Sequence, residues 1–82
     1  MNKATNQDAI IGKELLYNGV TIVNKQYVPK TIKVIIKEII GEDYYHDKIV
    51  KVELSGKYSK KDQLYYSRVF YKPVNIGWFT KK

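Results

Sequence analysis

Thr31-Ile32-Lys33-Val34-Ile35-Ile36-Lys37-Glu38-Ile39-Ile40 is the stretch on which the fold class turns. Read as a helix, Ile32, Ile35, Ile36, Ile39 and Ile40 form one stripe, with Pro29 near its start and Gly41 past its end. That reading leaves Val34 in solvent. Read as a strand, Ile32, Val34, Ile36 and Ile40 share a face broken only by Glu38. Five of the ten residues are Ile, with one Val and one Thr, branched side chains that lose rotamer freedom in a helix and pack well on a pleat. The balance favours a strand, with the helix as its rival.

The flanking segments point the same way. Residues 48–54 alternate, with Val50, Val52 and Leu54 inward and Lys51 and Glu53 outward. Upstream, Tyr17-Asn18-Gly19-Val20 predicts a hairpin, because Asn-Gly accepts the two positive φ angles of a type I′ turn. Leu15 would then face Ile22, and Tyr17 would face Val20. The competing reading runs a helix over 5–17, with Thr5 and Asp8 as a capping box and Asn-Gly as its stop, against which Gly12 counts. Downstream, 55–62 is polar, and 63–72 and 74–80 read as two more strands separated by Pro73.

Across the chain Val, Ile and Thr number 8, 10 and 4 against 2 Ala and 4 Leu, a composition suited to half-buried pleated surfaces. With 82 residues and 9.6 kDa there is room for one core, so a single domain over 1–82 is expected, with 1–10 as a polar arm without fixed structure. The fold class expected is mainly β: a small single-domain antiparallel sheet or barrel, SH3-like or OB-like, with room for one short helix over 5–17 or 30–40.

Several functions are excluded early. With no cysteine there are no disulfides, thiolate nucleophiles or thiolate metal sites. The longest apolar runs are three residues, far below the roughly 20 that span a bilayer, so neither a membrane span nor a membrane partner is expected. The polar start lacks the apolar stretch of a secretory signal, and a cytoplasmic location is expected. The abundance of Lys, Ile, Tyr and Asn over Gly, Ala, Arg and Pro fits an A/T-rich genome, such as that of a phage or another mobile element.

Charge is uneven. Residues 1–56 hold eight lysines and seven acids, while 57–82 hold six lysines, Arg68 and the single acid Asp62, a net +6. Aromatics crowd the same segment. Lysines among rings are what a single-stranded nucleic-acid surface needs, with cations on the phosphates and rings under the bases. The candidate binding residues are therefore Lys57, Lys60, Lys61, Arg68 and Lys72 for phosphates, with Tyr66, Phe70 and Trp78 for stacking. If Trp78 is buried, it becomes a core anchor instead.

One arginine supplies little bidentate base reading, and the glycine-containing RNP1 pattern is absent, so little sequence specificity is expected. The alternative is a protein-interaction module, such as a mobile-element accessory or inhibitor docking on an acidic protein, for which eight tyrosines are suited. That reading predicts one compact apolar patch with lysines at its rim.

Glu42, Asp43, His46 and Asp47 form the only cluster with acid, base or metal character; its spacing matches no metal motif, and a solvated loop is expected. Paired with the basic carboxy-terminal part, this acidic loop also allows head-to-tail self-association. Neither a Ser–His–acid arrangement nor a phosphate-cradling glycine loop is indicated. The chain is expected to be no enzyme, with no catalytic residue, no metal and no small-molecule cofactor.

Overall fold

The computed structural model describes residues 2–82. Five strands form one curled antiparallel sheet: β1 (Glu14–Val23), β2 (Gln26–Glu42), β3 (Lys48–Leu54), β4 (Val74–Asn75) and β5 (Thr80–Lys81). Their spatial order is β4-β3-β2-β1-β5. One helix, α1 (Lys60–Val69), follows β3. The fold is thus mainly β and antiparallel, as the composition implies.

The 31–40 segment is strand, the middle of the 17-residue β2. Ile32, Val34 and Ile36 are buried on one face, but bulges after Ile36 and Ile39 break the alternation, and Ile40 is exposed. β3 lies where its alternation puts it, with Val50 and Val52 buried.

The β1–β2 hairpin does not turn at Asn18-Gly19. Those residues pair with Thr31 and Lys30 inside the ladder, and the turn is Asn24-Lys25, with φ of 52° and 65°. Two positive φ angles between the paired Val23 and Gln26 match the I′ geometry expected of Asn-Gly, here adopted without glycine. Leu15 therefore faces Val34 rather than Ile22, and Tyr17 faces Ile32.

The helices proposed for 5–17 and 30–40 are absent; what forms near the first is a single 3₁₀ turn, Asn6–Asp8, in which the Thr5–Asp8 capping box does close. The helix lies instead where 63–72 reads as strand. Ser59 caps it by accepting the Asp62 N–H, and the burial of Asp62, Tyr66 and Phe70 follows helical spacing. Tertiary packing of two large rings on one helical face outweighs the strand preference of the individual aromatics. At the helix end the Lys51 ammonium donates to the Phe70 and Tyr71 carbonyls, satisfying groups that the helix leaves open.

The core joins the inner face of the sheet to α1 and the segment after it. Leu15, Ile32, Val34, Ile36, Val50 and Val52 meet Tyr66, Phe70, Val74, Ile76 and Phe79. Each such side chain contributes about 1.5 to 3 kcal/mol on burial. The segment after α1 pairs with both edges of the β1–β2–β3 meander, Val74–Asn75 with β3 and Thr80–Lys81 with β1. Residues expected as an arm lie against it: Lys3 bridges Thr80, and Ala4 is buried.

Beyond β5 and β3 the hairpin runs on with open edges, and two tyrosines cover them. The Tyr66 hydroxyl accepts the Val20 N–H at 2.8 Å and donates to the Val20 carbonyl at 2.7 Å. On the other edge Lys33 donates its N–H to the Tyr58 hydroxyl at 2.8 Å. Because Val20 uses both backbone groups on Tyr66, its pairing with Pro29 does not need the N–H that proline lacks.

Candidate functional site

The residues expected to form one nucleic-acid surface are distributed over the molecule. Lys60, Lys61 and Arg68 stand on the outer face of α1, with Lys57 before it and Lys72 after it, all exposed. None of these five forms an ion pair among the described residues. Tyr66 and Phe70 are elsewhere: 1% and 4% exposed, they are core residues. A strand over 63–72 would place Tyr66, Arg68 and Phe70 on one face by its period of two; helical geometry sends the two rings inward and Arg68 outward.

Burial pushes the Tyr66 phenol up, which suits a hydroxyl that must keep its proton to donate to Val20. Trp78, 49% exposed, sits in a 3₁₀ turn with its ring stacked on Tyr17 at 6.3 Å. Of the three rings expected to stack bases, two are therefore unavailable and the third already has a partner.

The same turn of the chain that buries Tyr66 brings Leu64 and Tyr65 out among the basic residues. Lys61, Tyr65 and Arg68 follow one helical stripe. Beside it stands the far end of the hairpin. Ile22 and Tyr27 are cross-strand partners on the sheet face opposite the core, both well exposed, next to the Val20–Pro29 pair on that face. Between the hairpin and α1 runs a cleft of about 140 Å³, lined by Val20, Thr21, Ile22, Tyr27, Lys61 and Tyr65 among others. This is below the roughly 300 to 1,000 Å³ of a small-molecule pocket. It has room for a protruding side chain.

The walls are held rigidly. Asp62 accepts from the Thr21 hydroxyl at 3.0 Å and from the Lys30 ammonium at 2.9 Å, tying α1 to both hairpin strands. The Lys30 ammonium holds the Asp62 carboxyl below its usual value, against the opposing effect of burial, and Asp62 in turn raises Lys30. Tyr65 stands edge-on to Tyr66 at 4.9 Å, which fixes its ring.

A larger groove, about 440 Å³, lies on the other side of α1 along β3, with Val52, Leu54, Tyr58, Tyr66 and Phe70 in its wall. Its apolar wall is largely the core seen from outside, and Lys51 lines it while engaged with the α1 carbonyls.

The acidic cluster is a tight loop between β2 and β3. The Asp43 carboxylate accepts the N–H groups of Tyr45 and Asp47 and the Asn75 amide, so it is spent on the loop itself. Burial raises its carboxyl, but these donors outweigh that and hold it below its usual value. Lys48 chiefly, and His46, hold the Glu42 carboxyl down. Among the described residues no three His, Asp or Glu side chains are placed together so that they could hold a metal ion. What the loop displays is two rings, Tyr44 and Tyr45, 89% and 79% exposed.

The exposed Ile22, Tyr27, Leu64 and Tyr65 are missed by the sequence reading. The signal that finds Leu64 and Tyr65 is Ser59-x-x-Asp62 followed by apolar residues at 66, 69 and 70, a helix start with a helical stripe; Ile22 and Tyr27 follow only once the turn is placed at Asn24-Lys25. No described helix is long and apolar enough to cross a membrane. Compared with known proteins, the chain matches no family model, no curated protein and no solved structure.

Proposed function

We propose that the protein is a non-catalytic interaction module that docks on an acidic protein surface through the cleft between the hairpin end and α1. One observation carries this reading: Ile22, Tyr27 and Tyr65 form a compact apolar patch bordered by Lys61, which has no ion pair among the described residues. Apolar contacts would supply affinity, and the basic rim would select partner charge and speed encounter. A net charge of +7 favours an acidic partner in the same sense.

Nucleic-acid binding becomes the weaker reading, because two of its three stacking rings are core residues. Lysines alone would give weak, steeply salt-dependent binding to any polyanion.

The test compares a synthetic peptide alternating Glu with Leu and Tyr against a single-stranded oligonucleotide of equal charge, at about 50 and 200 mM salt. Amide shifts and Trp78 fluorescence are followed for both probes. The peptide should shift Ile22, Tyr27, Lys61 and Tyr65 and still bind at the higher salt, and Tyr65→Ala should weaken it by about 2 kcal/mol. Oligonucleotide binding that persists at 200 mM and quenches Trp78, with no peptide shift at the cleft, would return the protein to the nucleic-acid class.

A further inference from the structure

The molecule itself carries a segment with the chemistry this cleft selects. We infer that the cleft takes the Tyr44-Tyr45 loop of a second copy, so that the protein associates head to tail. This rests on reading the cleft as a protein-docking surface and names its occupant.

Three observations support it. First, the loop is built to hold its rings out. Asp43 binds the N–H groups of Tyr45 and Asp47 from within, Asn6 holds the His46 carbonyl and the Lys48 N–H, and Asn75 reaches Asp43. His46 adopts a positive φ of 66° to close the turn. A loop braced this heavily that leaves two rings almost wholly in water is preordered for contact, and little entropy is lost when they are covered.

Second, charge is complementary. Glu42, Asp43 and Asp47 flank the rings against Lys48 alone, whereas Lys61 borders the cleft and Lys60 and Arg68 stand on the same helix face. A tyrosine entering between Ile22, Tyr27 and Tyr65 would bring Asp47 towards that basic face.

Third, the two surfaces lie at opposite ends of β2: the loop follows Glu42, and the cleft is beside the turn that precedes Gln26. The molecule is 41 Å long and about half as wide. A loop therefore cannot reach the cleft of its own chain. The contact uses two different surfaces, so a bound pair still carries one free cleft and one free loop, and association continues beyond the dimer, as a chain or until a ring closes.

The experiment needs only this chain. A loop variant, Tyr44→Ser with Tyr45→Ser, and a cleft variant, Lys61→Glu, are compared with the parent by sedimentation over a range of concentrations. The loop rings contact each other and solvent, and Lys61 lies in the first turn of α1, where an acid suits the helix dipole. Both variants should therefore fold, which their circular dichroism and thermal midpoints verify.

The parent should form a concentration-dependent series of species. Each variant alone should associate at least about tenfold more weakly. An equal mixture should stop at a dimer, since only one intact cleft meets one intact loop. A parent monomeric up to about 1 mM, variants that associate like the parent, or a mixture that grows past the dimer would each overturn the inference. If it fails while the acidic peptide still binds at Tyr65, the cleft remains a docking surface for another protein. If the peptide fails as well, both readings fall together.

Discussion

At Gly19 one missing side chain decides how the helix meets the sheet. A Cβ there would lie 2.2 Å from the Tyr66 oxygen and 3.0 Å from the ring carbon bearing it. Alanine can be accommodated only by moving the phenol off Val20. Gly19→Ala is therefore expected to cost about 3 kcal/mol, from overpacking plus two lost hydrogen bonds. Tyr66→Phe alone should cost roughly 1 to 2 kcal/mol. The double variant should be more stable than the sum of the two, since removing the oxygen relieves most of the clash. Urea unfolding of the four proteins measures the coupling, and strict additivity would mean that the hydroxyl does not dock at Gly19.

The elements differ in how legibly they are written, and the reasons are physical. β3 is plain because Val50, Val52 and Leu54 alternate with charges on a strand wet on one side. β2 is plain in its middle and obscure at its far end, where bulges shift the register in a way no residue type announces. The hairpin is misplaced because Asn18-Gly19 is the strongest turn signal in the chain, yet that glycine serves a close approach of Tyr66 instead. Asn24 and Lys25 carry the positive φ angles with only Asn24 favouring them. Lys25→Gly should therefore stabilise the protein by about 0.5 to 1 kcal/mol, read as a higher thermal midpoint.

The helix is misread because five aromatic or branched residues between 65 and 71 argue for strand, whereas its evidence is in Ser59 and Asp62 at its start. Ser59→Ala should cost about 1 kcal/mol by removing the acceptor for the Asp62 N–H, seen in the same unfolding measurement. The candidate site inherits both errors. Lys60, Lys61 and Arg68 are legible as exposed cations from composition alone, but the rings beside them follow from which residues of the helix face outward.

For the whole molecule, the ionised groups set the pH range of stability. The Asp8 carboxyl is held below its usual value by Lys13, Asp62 by Lys30, and Glu14 by the Ser55 hydroxyl and Lys82. Folded values below unfolded ones give stability that is present above the unfolded value and lost as pH falls through the folded value. The thermal midpoint should hold from neutral pH to about pH 5 and fall progressively below about pH 4. Lys30 and Tyr66 are shifted upward, so their stabilisation is complete below their usual values of 10.5 and 10.0 and is lost above them. A midpoint that falls between pH 7 and 5 would contradict this account, since none of these carboxylates takes up a proton in that range.

The two tyrosine hydroxyls on the hairpin edges also have a kinetic meaning. Amides on an unpaired edge exchange with solvent quickly, but those of Val20 and Lys33 are held by Tyr66 and Tyr58. Both should exchange slowly, Val20 reporting undocking of α1 through Tyr66 and Lys33 reporting release of Tyr58 in the segment before it, rather than fraying of the sheet. Ile22 and Tyr27, past these points, should exchange far faster. The hairpin is then anchored as far out as Thr21 and Lys30, where Asp62 holds both strands, and only its tip from Ile22 to Tyr27 is left to open on its own.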